Sequence, residues 1–295
     1  MEDDNYFDEY QRTKITAFIL VFIALVVILF VYVSIFVFMP KYTQIPNTIN
    51  SYGIIKMIEP HTLIKTKTWS DILNSPAYII NLDKSKSRWN TASNNVKNAG
   101  FTNIRRLVAV NGRELKENDP IWNQYGRGDK NFLSYSKDKK VIKAEKGCLL
   151  SWLKVLNVIK NDTENDVATV FEDDCVFANN WNQAKYYYDL TPNNYDMIYL
   201  GCTGCRVWNN LPIIQTRTLS THAIHFTREG ARKCYNYIIN SEYFRVIDRF
   251  FYEEICKNTD ILNSYVWNAN VSYDLINANR GLVFQDKIIE STILK

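Results

Sequence analysis

Residues 167–177 read VATVFEDDCVF, an apolar run that ends in three consecutive carboxylates, Glu172, Asp173 and Asp174, and then turns apolar again. Three acids in a row repel one another, and burial raises their pKa values, so such a triplet calls for a positive partner. Hard divalent cations take carboxylate oxygens, and Mg2+ or Mn2+ uses one or two of them while substrate phosphates complete the shell. In extended chain the side chains alternate, which puts Glu172 and Asp174 on one side and Asp173 on the other. The triplet therefore suits a metal held by Asp174 and Glu172, with Asp173 facing a ribose. The alternative is a strand end capped by solvated acids, or a helix N-cap.

The elements that must position this triplet alternate along the chain. AYIINL (residues 77–82) reads as a strand, SRWNTASNNVKNAG as a helix closed by Gly100, and NIRRLVAV as a second strand ending at the Asn111-Gly112 turn. GCLLSWLKVLNVIK places Leu149, Leu153, Leu156 and Ile159 on one helical face. The strand VATVF, a helix near WNQAKYYYDL, the strands DMIYLG and THAIHF and the helix REGARKCYNYIIN follow. This order predicts an α/β domain with a mainly parallel sheet, whose ligands gather at the carboxyl ends of the strands. The polar stretch 113–143 is too long for an ordinary connection and reads as a binding loop or flap. Arg127-Gly128-Asp129 within it is too short a motif to imply adhesion.

Ile15 to Met39 contains no charged residue, and about 20 apolar residues suffice to cross a bilayer as a helix. A cleaved signal peptide has a shorter apolar region, about 7 to 15 residues. The expected organisation is a cytosolic tail (1–14), a transmembrane signal-anchor (15–39), a stem holding Pro40, Pro46 and Pro60 (40–73) and a folded domain (74–295). Long domains translocate largely regardless of flanking charge, which favours a type II arrangement with the C-terminal domain lumenal or outside. The sequons at Asn161 and Asn270 are usable there. Six cysteines form an even set that an oxidising lumen would permit to pair, without the spacing of a disulfide-rich module, and Cys202-Thr203-Gly204-Cys205 is a lone CxxC with no second pair, which reads as plain loop or core cysteines ahead of a zinc or redox site. The net charge of +4 is scattered, without the Lys/Arg tract that a nucleic-acid partner requires.

YIINLDKSKSRW, LVAVNG, EKGCLLSWLKVL, VFEDDCVF, DMIYLG and THAIHFTREGARK stand in the order and approximate spacing of glycosyltransferase family 25, and GLVFQDKIIESTI resembles its closing segment. The family includes bacterial lipooligosaccharide and animal collagen galactosyltransferases. The resemblance implies a GT-A-type, Rossmann-like domain, a UDP-sugar donor, Mn2+, and inverting transfer of a hexose to a hydroxyl of a glycan or protein acceptor. Carried over to this chain, it places Asn81, Leu82, Asp83 and Arg88 at the nucleotide, with Arg88 pairing phosphate. Glu172, Asp173 and Asp174 match the acidic motif, and Gly201 would let backbone approach a ligand. In RVIDRFFYEEI, which offers Asp248, Glu253 and Glu254, the resemblance favours Asp248 as the base. His222 could touch donor or acceptor, although both His222 and His225 also read as plain sheet residues. Ser151-Trp152 departs from the family's usual Ser-His, which keeps a second reading open, a non-catalytic, membrane-tethered binding or adhesion protein of the same fold.

Overall fold

The computed structural model describes residues 66–125, 132–202, 212–215, 218–269 and 280–286. The 15–39 span, Arg127-Gly128-Asp129, the Asn270 sequon and Cys205 lie outside them, and among the described residues no helix is long and apolar enough to cross a membrane.

The folded chain begins before residue 74. Helix α1 (Trp69–Asn74) opens on a capping box, in which Thr68 and Asp71 satisfy each other's backbone N–H groups. Its Ile72 is buried, so 68–73 belongs to the domain rather than to a stem. Strand β1 (Pro76–Asn81), helix α2 (Lys86–Asn98) and strand β2 (Asn103–Val108) form the first βαβ unit, and Gly100 at φ +98° lets the chain turn out of α2. The long connection after β2 is partly ordered: 3-10 turns span Gly112–Glu114 and Pro120–Tyr125, and β3 covers Phe132–Leu133. Helix α3 (Lys139–Lys160) starts eight residues before the GCLL run, with the Asp138 carboxylate capping the Lys140 N–H.

The remaining strands are β4 (Val167–Glu172), β5 (Cys175–Phe177), β6 (Met197–Tyr199), β7 (Gly201–Cys202), β8 (Ile213–Gln215), β9 (Ala223–Thr227), β10 (Phe244–Arg245), β11 (Ser264–Trp267), β12 (Arg280–Gly281) and β13 (Val283–Gln285). Helices α4 (Ala184–Leu190), α5 (Arg228–Asn240) and α6 (Ile247–Arg249) lie between them, and α6 runs on into a π-helical turn, Phe250–Ile255.

Seven strands form one sheet in the order β2-β1-β4-β9-β6-β11-β8. It is mixed: β2, β1, β4, β6 and β11 share one direction, while β9 and β8 oppose them. Successive residues of β1 serve opposite faces, Ala77 and Ile79 packing with α1, α2 and α4, and Tyr78 and Ile80 with α3 and α5. Helices cover both faces, and for that reason the central strands are apolar on both sides.

The antiparallel insertion of β9 matters most for function. It brings the start of β9 against the end of β4, pairing Phe171 with Ala223, and the Glu172 N–H donates to the His222 carbonyl at 2.9 Å. Beside this point α3 lies directly on the backbone after β2. A Cβ on Gly147 would come within 2.5 Å of the Gly112 nitrogen, and one on Gly112 within 1.9 Å of the Lys143 carbonyl. The Val110 N–H donates to Ser151 Oγ at 2.9 Å, which fixes the contact.

Candidate active site

At the carboxyl ends of β1, β2 and β4 lies a cavity of about 150 Å3, walled by Leu82, Arg88, Asn111, Trp152 and the whole acidic triplet, with Lys84 and Arg113 adding positive charge. Asp173 and Asp174 form a two-residue turn between β4 and β5, so the alternation expected of extended chain stops at Glu172. Asp173 and Asp174 consequently meet the same cation: the Arg88 Nη2 donates to Asp173 Oδ1 and lies 3.3 Å from Asp174 Oδ2. Asp173 Oδ2 also accepts from Asn81 Nδ2 at 2.5 Å. Burial raises the Asp173 carboxyl above its ordinary value, although Arg88 and Asn81 pull the other way.

Glu172 points elsewhere. Its Oε1 accepts from Thr221 Oγ1 at 2.7 Å and from the Trp152 indole Nε1 at 3.2 Å. The tryptophan that departs from the family pattern thus supplies a polar contact of its own. Burial, and next the charge of Asp174, push the Glu172 carboxyl up to about 7. Three buried atoms in this wall lack any hydrogen-bond partner: Arg88 Nε, Arg88 Nη1 and Asp174 Oδ1. Asp174 Oδ2 accepts from Gln285 Nε2 at 3.1 Å. The wall therefore holds both an open donor pair and an open acceptor.

Of the residues expected at the nucleotide, Leu82, Arg88 and Asp173 line this cavity, as do Glu172 and Asp174, the residues expected to hold a metal. Asn81 lies behind it, 1% exposed, joining Asp173 to Arg106, whose Nε and Nη2 donate to Asn81 Oδ1 at 3.0 and 2.5 Å. Asp83 faces outward, paired with Lys86 at 2.9 Å and Arg106 at 3.0 Å. Gly201 is not part of the wall. It pairs with Gly281, where a Cβ would come within 2.4 Å of the Gly201 Cα, so the close approach it permits is to another strand.

The His222 Nε2–H donates to the Val283 carbonyl oxygen at 2.9 Å, and burial lowers the imidazole's pKa. His225 is enclosed between Thr169 Oγ1 and Tyr195 OH, and burial takes it down to about 3, so it is a neutral core residue. Cys202 is disulfide-bonded, whereas Cys148, Cys175, Cys234 and Cys256 are free. Cys148 lines the cavity, but burial and the surrounding carboxylates hold its thiol well above the ordinary value and therefore protonated.

Asp248 is not part of the cavity wall, although its charge is felt at Cys148. Burial raises its carboxyl, and its Oδ1 is buried without a partner. Glu253 and Glu254, the competing acids, are partly buried and ion-paired. Arg245 Nη1 reaches Glu253 Oε2 at 2.6 Å and Glu254 Oε1 at 2.9 Å, and Arg249 Nη1 reaches Glu253 Oε1 at 3.0 Å. Burial opposes these contacts, yet the Tyr135 hydroxyl and the two arginines leave the Glu253 carboxyl below its ordinary value. A paired, lowered carboxylate is a poor base, while a raised one with an open oxygen is a good one. Sequence reasoning missed Thr221, the indole contact of Trp152, Lys84, Arg113 and Gln285, and only the Trp152 departure gave any local signal.

The class of protein follows from sequence comparison: the chain is a glycosyltransferase. The profile of glycosyltransferase family 25 (LPS biosynthesis protein) matches residues 74–252, and the chain belongs to that family. Among solved structures it is similar to a glycosyltransferase involved in the glycosylation of the major capsid of PBCV-1, at 9% identity, over 75% of this chain and 95% of that chain, with a TM-score of 0.42. Comparison with curated proteins gives no match.

Glu172 keeps its proton to about pH 7 in the folded domain but releases it near the ordinary 4.5 when unfolded. The folded state binds more protons between those values, so stability falls as pH rises through the window, by at most about 1.4 kcal/mol per pH unit. Glu172→Gln retains an acceptor for Thr221 and Trp152 and removes this dependence. With chelator present, we expect it to melt with the wild type at pH 4.5 and above it at pH 8. Parallel melting curves for the two proteins across this range would refute the raised carboxyl.

Proposed function

We propose that the protein is a membrane-anchored, inverting hexosyltransferase of the GT-A type, moving galactose or glucose from a UDP-sugar to a hydroxyl of a glycan or protein acceptor. The observation that carries the reading is the pairing of open groups in one wall, the Arg88 Nε and Nη1 donors beside the unpartnered Asp174 Oδ1. A diphosphate has oxygens for the first, and a divalent cation is the natural occupant of the second. Among the described residues no group of three or more His, Cys, Asp or Glu is arranged to hold a metal. Two carboxylates nevertheless fit Mn2+ when phosphate completes the shell, and Asp174 and Glu172 would hold it. When bound, the cation would neutralise charge on the leaving diphosphate.

The chain's own groups do the rest. Arg88 binds phosphate oxygen and orients the donor, Lys84 and Arg113 add positive charge to the same cavity, and Trp152 and Thr221 hold Glu172 in place. Asp248 accepts the acceptor's hydroxyl proton as that oxygen attacks the anomeric carbon, the bond to UDP breaks, and the configuration inverts. The non-catalytic reading rested on the loss of a polar group at Trp152. The indole's bond to Glu172 favours the catalytic one.

UDP and Mn2+ added together should raise the melting temperature more than either alone. Asp174→Asn should lose the Mn2+-dependent part of that rise, and with it UDP release from UDP-galactose or UDP-glucose. Normal activity in this variant at ordinary metal concentration would sink the metal assignment.

Asp248→Asn should lower kcat for transfer by about 10² to 10⁴, the usual share of general-base catalysis, while stabilisation by UDP stays at the wild-type level. Full activity in Asp248→Asn would move the base elsewhere.

The uncharged 15–39 run supports the anchor. The full chain should remain with membranes after carbonate washing, whereas a chain beginning at Thr66, ahead of the α1 cap, should be soluble. Release of the full chain by carbonate would overturn the anchor.

A further inference from the structure

Outside the cavity, an exposed aromatic residue is held against the helical segment that carries Asp248. Tyr135 is 66% exposed, yet its hydroxyl is tied to both Glu253 oxygens at 3.1 Å and the Arg249 guanidinium lies 4.9 Å from its ring centroid. Exposed tyrosines are ordinarily free to change rotamer, and fixing one at the surface costs side-chain entropy that burial does not repay here.

The fixing is reinforced from two sides. Strand β3 pairs with β10, matching Leu133 to Arg245, and β10 leads directly into the turn that carries Asp248. On the other side, Ser134 Oγ donates to Glu145 Oε2 at 2.5 Å. Glu145 lies on α3 between Ala144 and Cys148, both of which line the cavity. The ring is thus tied to the helical turn that carries Asp248 and, through Ser134 and Glu145, to the helix that lines the cavity. Two residues before Tyr135 in the chain, Leu133 is also 47% exposed.

We propose that Tyr135 is the stacking platform of an acceptor subsite, and that the acceptor group it takes is a hexopyranose ring. The inference rests on the glycosyltransferase reading of the neighbouring cavity and names the acceptor class for it. The C–H-rich face of a pyranose carries partial positive charge and matches the negative face of an aromatic ring. The sugar's hydroxyls then meet charged, oriented groups, the Arg249 guanidinium and the Glu145 carboxylate. Asp248 Oδ1, buried and without a partner among the described residues, needs a donor, and the reacting hydroxyl supplies it. A peptide acceptor would use the same base but would gain little from a single fixed ring flanked by charge.

The test reads sugar binding and donor binding separately. Saturation-transfer NMR with methyl β-D-galactopyranoside and methyl β-D-glucopyranoside, in the presence of UDP and Mn2+, should detect binding of at least one glycoside to the wild-type protein. Tyr135→Ala should weaken it about tenfold, the size of one aromatic contact. Tyr135→Phe, which keeps the ring and loses only the Glu253 contact, should retain most of it. The melting shift caused by UDP and Mn2+ should be equal in all three proteins. No glycoside signal from a wild-type protein that does respond to UDP would overturn the platform, as would a Tyr135→Ala signal equal to the wild type's. Tyr135-dependent glycoside binding without any UDP response would instead leave the platform standing and remove the donor reading.

Discussion

The guanidinium of Arg88, held between Asp173 and Asp174, is the interaction on which the site depends. It joins α2 to the turn after β4 across 85 residues of sequence and supplies the positive charge that three adjacent carboxylates require. Removing one partner of such a buried pair costs about 3 to 5 kcal/mol, because the other charge is left uncompensated. Asn81 and Arg106 extend the same network away from the cavity, so the turn is braced from behind while Arg88 Nε and Nη1 remain without a partner. One residue thereby stabilises the fold and lines the cavity.

Sheet topology completes what this charge begins. With β9 antiparallel to β4, its first residues arrive at the end of β4 rather than at the opposite edge of the sheet, and Thr221 reaches Glu172. The direct seating of α3 at Gly147 on the Gly112 backbone brings Trp152 to the same carboxylate from the other face. Glu172 is oriented by two donors that belong to different layers. Its raised carboxyl is the consequence of that enclosure.

The acids of this protein divide their work by environment. Asp248 and Glu253 stand five positions apart on one helical segment, yet burial raises the first and two arginines hold down the second. Groups of one chemical type, separated in this way, are what acid–base catalysis and ligand orientation need side by side. The same arginine that pairs Glu253 also covers one part of the Tyr135 ring, so the neutralised acid and the fixed aromatic are a single construction.

The alternation of strands and helices, the apolar face of α3 and the acidic strand end were all legible in the sequence, because each is written in neighbouring residues or in a short period, whereas Arg88 stood out only through the family resemblance. The direction of β9 was not, since an apolar strand reads the same whichever way it runs. Nor was the fate of the turn at Asp173 and Asp174, which breaks the alternation that extended chain would have kept. Gly201 illustrates the limit: its sequence marks a close approach, and only the pairing with Gly281 decides what approaches. Glu253 and Asp248 look alike in sequence and differ because Arg245, brought in by a two-residue strand pairing, reaches one and not the other. Local pattern determined which elements form and which residue types stand at their ends. Contacts between residues tens of positions apart, such as Glu172 with Thr221 at a separation of 49, decided which of those residues share a site, because burial and charge act through space and not along the chain.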